Sequence, residues 1–183
     1  MDKLCTFLLA ACFLAAPAFG QDGADDSSET KMVDANPADV ESLDAITAAV
    51  YASISGGPGV ERQWDRFRSL FTPGAQLTPT QKRGDAIIST PLDIETYISR
   101  TNDWFVENGF FETEIFRKTE QYGSLVHFFS TYESRRTEAD PEPFARGINS
   151  FQALHDGNRW WIVSIYWRGE SEDLPIPAQY LPE

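Results

Sequence analysis

The chain has 183 residues, 42% of them apolar and 13% aromatic, which suits one packed domain and excludes a disordered chain. Lysine and arginine number 15 against 28 aspartate and glutamate, and a net charge of −13 would repel a nucleic-acid backbone and an anionic membrane surface alike. Nucleic acid is therefore not an expected partner.

From Leu4 to Ala16 the chain is almost wholly apolar after Lys3, a run too short for a bilayer, which takes about 20 residues. With small residues at Ala18 and Gly20, residues 1–20 are predicted to be a secretory signal peptide cut before Gln21. The mature protein is expected to be periplasmic or secreted, with no membrane attachment. Leu9-Ala10-Ala11-Cys12 resembles a lipobox that would leave Cys12 acylated, but it stands too early in the run. Cys5 and Cys12 are the only cysteines, so cleavage leaves no disulfide, thiol nucleophile or cysteine ligand. Residues 21–36 carry Asp22, Asp25, Asp26, Glu29 and Asp34 against Lys31 and read as an acidic flexible tether.

The folded domain is predicted over residues 37–167. Asn36-Pro37 with Asp39 opens a first helix, whose apolar positions Val40, Leu43, Ile46, Val50 and Ile54 recur at helical spacing until Gly56-Gly57. Val60, Trp64, Phe67 and Phe71 form a second stripe, ended by Thr72-Pro73. Thr90-Pro91-Leu92-Asp93 starts a third helix with Ile94, Tyr97, Ile98, Thr101 and Phe105 on one face, stopped at Asn108-Gly109. Leu77 to Ser89 has room for a short strand or two.

After Gly109 the period becomes two. Glu112, Glu114, Lys118 and Glu120 share one parity and Phe111, Thr113, Ile115 and Thr119 the other, so the first strand is predicted to show its charged face to water. Tyr122-Gly123-Ser124 turns into a strand from Leu125 to Glu133, and His155-Asp156-Gly157-Asn158 joins Gly147–Leu154 to Trp160–Trp167. Helices first and strands afterwards make an α+β fold, about three N-terminal helices on one face of a curved, mainly antiparallel sheet of four to six strands. Residues 168–183 form a Pro-rich tail.

The element order, with Trp64-Asp65-Arg66-Phe67-Arg68-Ser69-Leu70-Phe71, Ser130-Thr131-Tyr132-Glu133 and Asp156-Gly157-Asn158-Arg159-Trp160-Trp161-Ile162-Val163, resembles the nuclear-transport-factor-2-like superfamily, in particular its SnoaL-like branch. The resemblance covers roughly Asn36 to Trp167 and rests on packing and turn motifs. It implies a cone with an apolar pocket between helices and sheet. Members include isomerases, dehydratases, polyketide cyclases, epoxide hydrolases and binding proteins, so fold leaves activity open.

A catalytic cone would need an acid or base facing the pocket, where desolvation moves its pKa towards neutrality. His127 is one candidate, mid-strand between Leu125 and Phe129 on the same face, with a sheet-face or subunit contact as its structural reading. Asp65 and Asp103 are others, each beside a tryptophan, Trp64 and Trp104, that would line the pocket. Tyr132, Arg146, Asn149 and Tyr166 are polar groups on strands of bulky apolar residues, suited to contacting a ligand or one another; Glu133 is a natural partner for Arg146. There is no paired histidine, calcium-type loop or glycine-rich phosphate loop, so no metal or cofactor is expected.

These readings converge on an exported domain holding a small, mostly apolar ligand in a cone pocket. An acid–base enzyme of the isomerase, dehydratase or cyclase kind, or a non-catalytic partner-binding module, are the alternatives. The last strand, Trp160 to Trp167, is bulky on both parities, so its outer face needs cover. A homodimer through the sheet would supply it, and the tail from Leu174 to Pro182 is the rival cover.

Overall fold

Ser42 divides the predicted first helix in two. In this computed structural model, which describes residues 33–183, Asn36 caps a single turn, α1 (Pro37–Val40), by accepting from the Ala38 N–H. Ser42 is then extended, at φ −145° and ψ 164°, and its hydroxyl accepts from the Ala45 N–H at 3.0 Å to start α2 (Leu43–Ile54). A serine that can bond the backbone competes with helix continuation, which periodicity alone does not register. A bidentate pair between Arg66 and Asp39 (2.7 and 2.8 Å) ties α1 to the third helix, α3 (Trp64–Ser69).

The second stripe is shorter than its sequence spacing. Val60 is exposed and precedes α3, while Phe71, predicted to close that helix, opens a strand, β1 (Phe71–Arg83), that runs through Pro73. The proline is tolerated because pairing with β6 (Trp160–Gly169) breaks register between Phe71 and Gln76, where no ladder hydrogen bond is demanded of it. β1 turns back into β2 (Ala86–Ser89). α4 (Ile94–Asn108) is capped by Asp93, which accepts from the Thr96 N–H at 2.6 Å; Thr90 plays no part, because Leu92 is held by a bridge to Leu77. Gly109 ends α4 at φ 71°, and a Cβ there would collide with the Arg136 carbonyl.

β3 (Phe111–Tyr122), β4 (Leu125–Arg135) and β5 (Ala145–His155) complete a six-stranded mixed sheet of order β2-β1-β6-β5-β4-β3, parallel only between β1 and β6. The predicted hairpin between β5 and β6 forms, with Gly157 at φ 102°. Asp156 there accepts from the Asn158 and Arg159 N–H groups and the Trp161 indole, which together hold its carboxyl down at about 2.

The helices cover one face of the sheet, and the core lies between, around fully buried Ile46, Phe67, Phe128, Phe151 and Ile162. On the other face, the C-terminal segment folds back: Tyr180, in a 3₁₀ turn (Ala178–Tyr180), packs on Phe129 at 5.4 Å, and its carbonyl accepts from the Thr131 hydroxyl at 2.6 Å. The tail thus lies over part of the face expected to need cover. β6 itself continues to Gly169, past the predicted boundary at Trp167. The signal peptide 1–20, both cysteines and most of the tether lie outside the described residues.

Alternation on β3 misleads in one decisive respect. Glu114 stands opposite Tyr132 and Phe116 opposite Thr131, so a bulge at Ile115 reverses the parity along the strand. Lys118 and Glu120 face outward as predicted, whereas Glu112 and Glu114 face inward, under the helices. The shift of one residue turns two expected surface acids into interior ones.

Candidate functional site

Between the helices and the sheet is a cavity of about 250 Å³, roughly eight times the ~30 Å³ that a water molecule occupies in the liquid. β5 makes room for it: Gly147 and Ala145 stand opposite Tyr132 and Ser134, and a Cβ at Gly147 would collide with the Tyr132 hydroxyl and the Arg168 carbonyl. Val50, Ile54, Phe105, Phe110, Phe151, Ile165 and Trp167 supply apolar wall, and half-exposed Phe144 carries the cavity to the surface. The polar lining is Tyr51, Tyr97, Thr101, Glu112, Tyr132, Ser134 and Asn149.

Glu112 is the ionisable group among them that titrates near neutrality. Burial pushes its carboxyl up to about 7, against the pull of two neutral donors, the Ser134 hydroxyl at 3.1 Å and the Asn149 amide at 3.3 Å. Among the described residues no cation offsets the burial. The start of β3 is itself fixed, by the Glu112 N–H donating to the Ser55 hydroxyl at the end of α2 and by a bridge between Phe110 and Gly56. Burial, and next the nearby Glu112 charge, hold the Tyr51, Tyr97 and Tyr132 phenols above their usual value, so all three stay neutral.

A hydrogen-bond chain with a fixed sense leads away from this carboxyl. The Asn149 amide, besides donating to Glu112, donates to the Tyr51 oxygen at 3.0 Å. Tyr51 and Ser130 lie 2.7 Å apart, and since the Ser130 hydroxyl donates to Glu114, it must accept from Tyr51. Glu114 is held bidentately by Arg117, whose other nitrogen reaches Asp44 at 2.6 Å on the exposed side of α2. Glu112 and Tyr51 also border a groove of about 680 Å³ between α2 and β3.

Of the residues singled out from sequence, Tyr132 and Asn149 line the cavity. Trp64 packs behind the wall, stacked on Phe105 and donating to the Asn102 side chain at 2.7 Å. Trp104 stands beside the mouth, 40% exposed, where Arg136 lies between its ring (4.3 Å) and that of Phe144 (4.6 Å). Asp65 is exposed and paired with Arg68; Asp103 is exposed and accepts from Asn102. His127 and Tyr166 lie on the outer sheet face, His127 3.8 Å from Glu120, and Arg146 pairs there with Glu170, not with Glu133, which binds Arg135. The indole at the cavity is Trp167, edge-on to Tyr97. Sequence reasoning missed Glu112; the one signal for it was Ile115-Phe116, two adjacent apolar residues that break the alternation. Among the described residues no three His, Cys, Asp or Glu side chains converge as a metal site requires, and no helix is long and apolar enough to cross a membrane.

No protein-family model matches the chain, and no curated protein does. Solved structures do. One is an NTF2-like protein of unknown function from Silicibacter pomeroyi DSS-3, 14% identical over 71% of this chain and 94% of that one, with a TM-score of 0.47. A second NTF2-like protein of unknown function, from Methylobacillus flagellatus KT, is 16% identical over 71% and 95%, with a TM-score of 0.42. The yeast Ubp3-associated protein Bre5 is similar as well, at 16% identity over 70% of this chain and 93% of that one, with a TM-score of 0.49. Both NTF2-like proteins are of unknown function, and none of these names singles out the SnoaL-like branch. What the cavity can do chemically rests on its own residues: an apolar chamber in which one carboxyl changes charge near pH 7 and can take up or release a proton.

Proposed function

We propose that the cavity takes a small, mostly apolar molecule with one polar group, and that Glu112 exchanges a proton with it as general acid or base. The observation that carries this reading is the carboxyl on the wall of an apolar chamber, desolvated to about 7 and met by neutral donors only. A base works best when its pKa lies near the working pH. Reactions of the isomerase, dehydratase or cyclase kind turn on such a proton transfer. Asn149 and Ser134 fix the orientation of the carboxyl, and the aromatic wall excludes water. Export through the Leu4–Ala16 segment belongs to the same proposal and places this chemistry in the periplasm or outside the cell.

The test uses 2-tetralone, a neutral bicyclic ketone with acidic α-hydrogens. Binding is followed by Trp167 fluorescence and proton abstraction by α-deuterium exchange in heavy water. Protein-accelerated exchange that rises through about pH 7 and disappears in Glu112→Gln, with binding retained, is expected. Equal exchange by wild type and variant would refute the role of Glu112. Absence of any fluorescence response to the ketone would count against the cavity itself.

A further inference from the structure

A second cavity lies on the opposite face of the sheet. It measures about 280 Å³ and is enclosed between β4, β5 and β6 below and the C-terminal segment above. Phe129, Ile148 and Tyr166 form its floor, and Ile176, Pro177 and Tyr180 its roof. The alternation of the strands sets it apart from the first chamber: Phe128, Asn149 and Ile165 face the helices, while Phe129, Ile148 and Tyr166 face the tail, and Trp167 borders both spaces.

The roof is anchored at defined points. The Ile176 N–H donates to Glu170 at 3.0 Å, the Tyr180 carbonyl accepts from Thr131, and the Lys118 ammonium lies 5.7 Å from the centre of the Tyr180 ring. One cation, Arg168 on β6, and one carboxylate, Glu170 just past its end, border this space. Arg146 holds Glu170 with two nitrogens (2.8 and 3.2 Å), and the Ile176 N–H takes a further lone pair, so Glu170 is fully engaged. Arg168, which also lines the cavity, has no salt-bridge partner among the described residues, and its Nη1 is buried without a hydrogen bond. A guanidinium without a carboxylate partner on the wall of an apolar cavity is a cation left for a ligand, and a carboxylate is the group whose geometry answers its fork.

We propose that this is a second ligand site, and that it takes a monocarboxylate with an apolar body: the carboxylate on Arg168, the body between Phe129, Ile148 and Tyr166 and the prolines of the tail. The volume is about nine times the share of a liquid water, enough for a medium-length acyl chain or one substituted ring. Charge sets the choice of ligand. Glu112, ionised above pH 7, repels a carboxylate from the inner cavity, whereas the outer site offers an unpaired cation.

Octanoate and 1-octanol, titrated calorimetrically into the full chain at about pH 8, where Glu112 is ionised, decide the matter. Octanoate affinity should fall roughly tenfold or more in Arg168→Gln and be mostly kept in Arg168→Lys, while 1-octanol, which the inner cavity can also take, should bind equally to all three proteins. Glu112→Gln, which lifts the charge from the inner cavity, should not weaken octanoate binding at the outer site. Octanoate should also slow amide exchange at Ile176 and Tyr180, two residues of the roof. An unaffected Arg168→Gln variant, an equal loss of octanoate and 1-octanol binding in it, or loss of octanoate binding in Glu112→Gln would each overturn the site.

Discussion

Replacing Glu112 by Gln should make the protein more stable at alkaline pH and leave it nearly unchanged at acid pH. Glutamine has the size and shape of the carboxyl and can still accept from the Asn149 amide and exchange a hydrogen bond with Ser134. What it lacks is the charge. In the folded chain the carboxyl titrates at about 7 instead of an ordinary 4.5, because burial penalises the ionised form. Below 4.5 it is protonated in both the folded and unfolded states. Between 4.5 and 7 the folded chain binds a proton that the unfolded chain has released, so stability falls as pH rises, and above 7 the loss is complete. At about 1.36 kcal/mol per pH unit the full span is worth about 3 kcal/mol, of which about 2–3 kcal/mol develops between about pH 5 and about pH 8. The groups facing Glu112 from α2, α4 and β4 are Tyr51, Tyr97 and Tyr132, all neutral throughout, so they do not titrate in this window. Urea unfolding of both proteins at the two pH values measures it, and every other titrating group cancels in the difference. A stability difference that does not change between the two would show that the carboxyl ionises as in water and that the chamber around it is wet.

Trp167→Phe should remove most of the fluorescence response to an apolar ligand of the inner cavity, and Trp64→Phe should leave it intact, because only the former indole lines that cavity; the reverse pattern would place the ligand beside α3. Gly147→Ala should destabilise the fold by about 1–3 kcal/mol in thermal unfolding, through collision of the new methyl with Tyr132 and the Arg168 carbonyl, and a neutral result would refute that packing. With the tail over Phe129 and Thr131, sedimentation equilibrium should give the mass of one chain; a dimer would instead make exposed Leu125, Val163 and Tyr166 the buried patch. Intact mass of exported protein should correspond to a chain beginning at Gln21, and a lipid mass on Cys12 would overturn the signal-peptide reading.

Most of the architecture was legible in the sequence, because strand alternation, Asp156-Gly157 and Gly109 report on local backbone preferences that the tertiary structure keeps. The errors arose where a nonlocal partner overrode a local signal. Phe71 continues the α3 stripe in spacing, yet β6 draws it into the sheet. Asp93 displaces Thr90 as cap because Leu92 is recruited to Leu77. The site was less legible than the fold. Asn149 and Tyr132 stand out as polar groups among bulky neighbours, but Glu112 is concealed by a bulge whose position depends on pairing with β4, and acidic residues on an alternating strand read as surface.

The directed chain through Tyr51 also constrains what the inner cavity can recognise. Both N–H groups of the Asn149 amide, the Ser134 hydroxyl and the Tyr51 hydroxyl are already donating to protein partners. Of these groups and Glu112, only the carboxyl can still answer to pH, and its offer changes sign. Protonated, it can present an O–H to a carbonyl; ionised, it can only accept, and so favours a hydroxyl. With the neutral Tyr97 and Tyr132 hydroxyls donating at any pH, a single chamber of fixed shape would therefore shift its preference from a ketone towards its alcohol as pH rises through neutrality. Were one to interconvert such a pair, acidity would decide which partner is held and which is let go.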